Sequence, residues 1–183
     1  MTHSIAGFKD TCLIGDQSRP KIFDLEVRKA TALHAAVVEV DERIVPADYD
    51  LNPTPLDKKS ALAQDASLVQ TASGELMRVV RRPNADTVRD QLIALRKQGL
   101  SSVAICFMHA YLYPDHEDLV ADIAREVGFE FVTTSAKTSP TIKFLHRSTS
   151  TCSEAYLYPV IKRYIQSFNA GFSTLPQRVD FMC

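Results

Sequence analysis

Ser102–Met108 (SVAICFM) restricts the fold more than any other part of this chain. It is an unbroken apolar run of strand length, and such runs suit an interior strand covered on both faces. Its flanks agree. Upstream, Asn84 or Asp86 is placed to cap a helix carrying Val88, Leu92, Ile93 and Leu95 on one face and ending at Gly99. Downstream, Asp115 is placed to cap a second helix with Leu119, Val120, Ile123 and Val127 buried and Gly128 at its end. Phe129–Thr133 follows as another strand. Helix, buried strand, helix, strand is the rhythm of an α/β layer, with helices packed on a sheet.

The earlier segments are less regular. Gly7–Ile14 reads as a short helix ended by Gly15, and Asp16–Pro20 as a loop. Val37–Ile44 alternates, with Val38, Val40 and Glu42 on one side and Val37, Glu39, Asp41 and Arg43 on the other, as in a half-buried strand. Residues 46–74 are poor in large apolar side chains and read as a mobile insertion with a short helix near Pro55–Ala66. Glu75–Arg81 is a second strand. Near the end, six small polar residues (Ser148, Thr149, Ser150, Thr151, Cys152, Ser153) precede an amphipathic stretch in which Val160, Ile161, Tyr164, Ile165 and Phe168 recur at helical spacing. Small residues let a backbone come close to another chain segment or to a ligand. Pro159 either kinks one long helix or opens a second. A last strand is expected at Arg178–Met182, an unusual place for a whole domain to stop.

Composition excludes several classes. Lys and Arg number 21 against 22 Asp and Glu, so no basic nucleic-acid footprint is expected. No apolar run reaches the roughly 20 residues of a membrane span, and MTHSIAGFKD has no secretory pattern. Cys12, Cys106, Cys152 and Cys183 are widely spaced with no C-x-x-C, so reduced thiols are expected, with Cys106 a buried small hydrophobe. The phosphate-loop, dinucleotide, nucleophile-elbow and H-E-x-x-H patterns are absent.

The polar cluster His109–Glu117 (HAYLYPDHE) follows the buried strand directly, at the carboxyl end where open α/β sheets usually bind ligands. A folded loop can bring His109, Asp115 and His116 together as ligands for a divalent metal, or set them near a substrate. The alternative is structural: Asp115 caps the helix, Glu117 supports its dipole, and His109 bonds a backbone carbonyl. Arg19, in Gly15–Pro20 (GDQSRP), offers a planar fork suited to a carboxylate or phosphate, and a plain loop explains it equally well. Glu39, Asp41 and Arg43 read as a solvated, self-paired strand face. His146 and Cys152 receive no catalytic role.

Taken in order, the words GFKD, IGDQSRPKIFDL, EVDERI, MRVVRRPN, LRKQGLSSVAICFMHAYLYPDHE, IAREVGF and SPTIKFLHRSTSTCSEAYLYPVIKRYIQSF resemble the hydantoinase A/5-oxoprolinase family, and most of all its eukaryotic, fungal-type branch. The resemblance runs from about Gly7 to Phe172. It implies a partial actin-like, sugar-kinase-like (ribonuclease H-like) α/β lobe with helices packed on a mixed sheet. Residues 1–134 would be an N-terminal domain incomplete at its start, with a variable insertion near 46–74, and residues 135–183 the beginning of the next domain. It also implies an ATP-dependent opening of 5-oxoproline to glutamate in the cytosol, within glutathione turnover, by a homo-oligomer using ATP and a divalent cation (Mg or Mn). No nucleic-acid or membrane partner is implied. The family's two glycine-rich nucleotide loops have no counterpart here, so the chain is expected to be a fragment, truncated at both ends, binding no cofactor and inactive alone. A non-catalytic module that docks on a full-length relative, or a piece of an ATP-dependent hydantoinase or ketone carboxylase subunit, are the alternatives. Carried over by position, Arg19 is the anion-facing candidate, and His109, Asp115 and His116 are the metal- or substrate-near ones.

Overall fold

The computed structural model describes residues 31–49 and 51–172, together with Thr2, His3, Thr11, Phe23, Leu25 and Glu26. Apart from Thr11, the expected helix at Gly7–Ile14 lies outside the described residues, as do Arg19 and the strand at Arg178–Met182.

Two sheets form. The larger is parallel, in the order β2 (Val38–Glu39), β1 (Thr2–His3), β6 (Ser102–Ile105), β7 (Phe131–Thr134). The smaller is antiparallel, in the order β3 (Arg43–Pro46), β5 (Leu76–Arg81), β4 (Leu68–Gln70). Helices α2 (Ala85–Lys97) and α3 (Asp115–Val127) pack on the parallel sheet, and α5 (Phe144–Ala170) lies against β6 and β7.

The pattern of β6 explains this layering. Val103, Ile105 and Phe107 enter the main core with Val88, Leu92 and Leu95 of α2 and Val120, Ile123 and Ala124 of α3. Ala104 and Cys106 fall between them along the chain, and Cys106 packs with Phe144 and Cys152 of α5. Large side chains therefore serve one face and small ones the other. The hydroxyl run completes the fit: Ser148 and Thr151 are fully buried, and Thr151 Oγ1 turns back onto the Arg147 carbonyl at 2.7 Å. Small residues on both sides let α5 approach the strand closely.

Helix ends follow their signals. Asn84 accepts the Thr87 N–H and caps α2. Gly128 closes α3 in the left-handed conformation (φ 94°), which a side chain at that position would strain. Asp115 is the first helical residue of α3 and not its cap: Pro114 holds the cap position and no side chain caps the helix. Ile93 and Leu119, expected inside, are exposed at the rims of their apolar stripes. Pro159 sits inside one continuous helix of 27 residues.

Two further expectations change. The alternating strand at Val37–Ile44 is two short strands in different sheets, because the chain turns at Val40–Glu42, where the Glu42 N–H bonds the Val40 carbonyl at 2.9 Å. Burial still alternates through the turn, with Val40, Glu42 and Ile44 inside. The segment 46–74 is also more built than a mobile insertion. It contains α1 (Lys58–Gln64) and β4, and Asp48 gathers the N–H groups of Tyr49 and Leu56 and the Asn52 amide. Short polar side chains hold this region by local hydrogen bonds, which a count of large apolar residues does not register.

Candidate functional site

The carboxyl end of β6 is where the structure concentrates buried charge. Phe107, just beyond the strand, is gripped at both of its polar backbone groups. Its N–H donates to Glu117 Oε1 at 2.8 Å, and its carbonyl accepts from Arg147 Nη2 at 2.6 Å. Arg147 also donates to the Met108 and Thr141 carbonyls and, through Nε, to Ser135 Oγ at 2.9 Å. Ser135 in turn donates to Glu117 at 2.5 Å, and the Ala136 N–H adds a further bond at 2.9 Å. Glu117, Ser135 and Arg147 are all fully buried. They join α3, the short helix α4 (Ser135–Thr138) and α5 to the last turn of β6. Burial pushes the Glu117 carboxyl up to about 7, against the opposing pull of its hydrogen bonds and of Arg147.

From this clamp the chain runs into a tight turn, with the Leu112 and Tyr113 N–H groups both bonding the His109 carbonyl. His109 is half-buried. Its ring faces Tyr111 at 6.2 Å, and its Nδ1 is buried with no hydrogen-bond partner, so the backbone-carbonyl bond expected for it is not made there. Burial, then Arg43 and Arg147, hold its pKa below the usual histidine value.

His116 is placed differently. Its Nδ1 lies 2.7 Å from Glu42 Oε1, with both residues buried. A carboxylate oxygen only accepts, so the ring donates from Nδ1 and Nε2 is the nitrogen left over. Nε2 is buried and unpartnered, and Tyr113 stands edge-on to the ring at 5.2 Å. A histidine fixed by a carboxylate on one nitrogen is the usual arrangement behind a ligand or proton-accepting nitrogen on the other. Sequence reasoning passed over Glu42, although its position on the Val38 and Val40 side was the available sign.

Asp115 is exposed, and among the described residues no three His, Cys, Asp or Glu side chains converge as a metal-ligand set. The loop therefore holds His109, Asp115 and His116 near one another in sequence but gives each its own surroundings. The three described glycines with positive φ lie at the β4–β5 turn (Gly74) and at the ends of α2 and α3 (Gly99, Gly128), so they do not cradle phosphates. These residues do not fit ATP or a cation by themselves. His146 is exposed, and Cys152 packs beside Cys106, whose thiol is pushed well up by burial. A cleft of about 460 Å³ runs between Pro46, Tyr49, Lys58, Met77 and Leu112, beside the same loop. Among the described residues no helix is long and apolar enough to cross a membrane.

The family is established by comparison. Residues 3–128 match the hydantoinase/oxoprolinase N-terminal region, and the chain belongs to that family. The 5-oxoprolinase PfmaA of Pestalotiopsis fici is 64% identical over 177 residues, covering 97% of this chain and 14% of that protein. The 5-oxoprolinase of Saccharomyces cerevisiae is 46% identical over 167 residues, covering 91% of this chain and 13% of its own length. The chain thus spans about a seventh of such relatives. Among solved structures, the ATP-dependent caprolactamase from Pseudomonas jessenii superposes with a TM-score of 0.64 at 18% identity, over 92% of this chain and 21% of that one. The nucleotide-free acetone carboxylase gives 0.51 at 16% identity, over 92% and 22%. At those identities the likeness is one of fold.

Proposed function

We propose that these residues form part of one lobe of an ATP-dependent 5-oxoprolinase, which opens the lactam of 5-oxo-L-proline to L-glutamate. The observation that carries this reading is the 64% identity to a 5-oxoprolinase over 97% of the chain. The site geometry is compatible with it. A lactam is a stable amide, and opening it needs a rigidly oriented set of polar groups around the ring. A buried clamp that fixes the loop after β6 provides such rigidity. In this reading the loop His109–His116 faces the substrate, and Arg19 faces an anion. Nucleotide, with Mg or Mn, is held by parts of a longer polypeptide. The setting is the cytosol and glutathione metabolism, the longer enzyme is a homo-oligomer, and the 183 residues alone do not turn over.

A chimera tests this. The corresponding segment of the yeast relative is replaced by this chain, and ATP-dependent release of glutamate from 5-oxoproline is measured. Activity within about tenfold of the parent is expected. A folded chimera that hydrolyses ATP but leaves 5-oxoproline intact, while opening a hydantoin or carboxylating a ketone, assigns the segment to a sister activity.

One feature favours a second reading, a docking module. Tyr156, Leu157, Val160 and Ile161 leave an apolar strip of α5 about half exposed. Co-purification of this chain with a full-length relative, lost on Val160→Asp, separates the two readings.

A further inference from the structure

Two cysteines meet where α5 crosses the end of β6. Cys106 is fully buried and packs with Phe144, and Cys152 packs against the same cluster. Phe144 and Cys152 lie about two turns apart on α5, roughly 12 Å along its axis. Cys152 therefore reaches that cluster at Cys106 and not at Phe144. The helix face accounts for the meeting. Phe144, Ser148 and Cys152 recur at every fourth residue, and Ser148 between the other two is fully buried. Neither thiol is in a disulfide.

The two sulfurs differ in access. Cys152 is half-buried and lines a cavity of about 260 Å³ together with Ala104, Phe129 and Ala155. Leu33, Gly99 and Tyr156 on the walls of that cavity are exposed, so it opens to water. Its lining is mostly apolar, which favours a small uncharged solute over an ion. Hydrogen peroxide is uncharged and little larger than water, and a cavity of this size holds several waters. Cys106 is shielded behind Cys152. Burial pushes its thiol well up, so it stays protonated and is not the first to meet an oxidant.

We propose that Cys106 and Cys152 form a reversible oxidation site, at which a peroxide closes a disulfide between the end of β6 and α5. Peroxide entering the cavity takes the Cys152 sulfur to sulfenic acid and leaves as water. The Cys106 sulfur then attacks the Cys152 sulfur. An S–S bond forms, the S–O bond breaks, and the departing hydroxyl carries off the Cys106 proton as a second water. Two thiols and one hydrogen peroxide become one disulfide and two waters, with two electrons passing from sulfur to peroxide. The consequence falls on the clamp. Phe107 follows Cys106 directly, and its N–H and carbonyl are the groups held by Glu117 and Arg147. The disulfide adds a covalent tie between the two elements that Arg147 already joins, and it restricts the unfolded chain.

The test uses the 183-residue chain, reduced with dithiothreitol and then exposed to hydrogen peroxide in slight excess. Peptide mass mapping without reductant is expected to find a Cys106–Cys152 cross-link within one chain, opened again by dithiothreitol. The oxidised chain should unfold at a higher urea concentration than the reduced one. Cys152→Ser should abolish the cross-link and leave Cys106 reduced. Cys12→Ser combined with Cys183→Ser should leave it intact. Several results each overturn the proposal: both thiols surviving peroxide, Cys152 trapped by dimedone as a sulfenic acid while Cys106 stays a thiol, either cysteine joined instead to Cys12 or Cys183, or a cross-link that forms only between chains. A urea midpoint lowered by oxidation overturns it too, since two sulfurs already in contact close without strain.

Discussion

Arg147 donates to the carbonyl of Phe107 at 2.6 Å across 40 residues of sequence, and in doing so ties the start of α5 to the end of β6. The guanidinium is fully buried, and burial lowers its pKa while Glu117 opposes that shift. A buried charge of this kind is tolerable only because its donors are occupied and an acid lies nearby.

Removing it should therefore be severe. Arg147→Ala takes the opposing charge away from buried Glu117 and the guanidinium donors away from the Phe107, Met108 and Thr141 carbonyls, and a loss of about 3–5 kcal/mol is expected. Arg147→Lys, with fewer donors and no fork, should recover part of that. Urea unfolding of the two variants against the parent measures both.

Glu117 makes stability depend on pH. Its folded pKa is raised to about 7, from an ordinary value of 4.5. Between those values the folded chain holds a proton that the unfolded chain has released. The contribution is thus fully present below about 4.5 and is lost as pH rises through about 7. The slope from this one group is at most about 1.4 kcal/mol per pH unit. Glu117→Gln should flatten that part of the profile, read from denaturation midpoints between pH 5 and 8.

The Glu42–His116 pair should behave as one unit. Either single alanine leaves a buried polar group without a partner, at a cost of about 1–3 kcal/mol. The double alanine should cost less than the two singles combined, with a coupling of about 0.5–3 kcal/mol in a double-mutant cycle. Simple additivity would mean that the 2.7 Å contact contributes nothing.

Close approach of α5 to β6 can be probed by volume. Ser148→Leu forces a large side chain into a fully buried site and should destabilise by about 1–3 kcal/mol. Ser150→Leu, on the exposed side of the same run, should stay within about 0.5 kcal/mol of the parent. Thermal melting of the two variants decides.

Local signals carried far into this fold. An apolar run at Ser102–Met108, a capping Asn84, and glycines at 99 and 128 are each read from a few neighbouring residues, and each appears where expected. The hydroxyl run before Ala155 announced a close approach, and α5 makes one against β6. Periodicity misled where the chain changes sheets, since alternation of burial passes unbroken through the turn at Val40–Glu42. Composition misled across residues 46–74, where local hydrogen bonds hold the chain together with the burial of Leu68 and the packing of Val69.

The site divides in the same way. That polar chemistry gathers after β6 was legible in HAYLYPDHE, because a loop at the carboxyl end of a parallel strand follows from local pattern alone. Which side chains meet there was decided only by tertiary structure. Glu42 reaches His116 across 74 residues, and Arg147 reaches Phe107 across 40. Such pairings depend on how helices and strands pack in three dimensions, and a linear pattern records spacing along one element, not the distance between two.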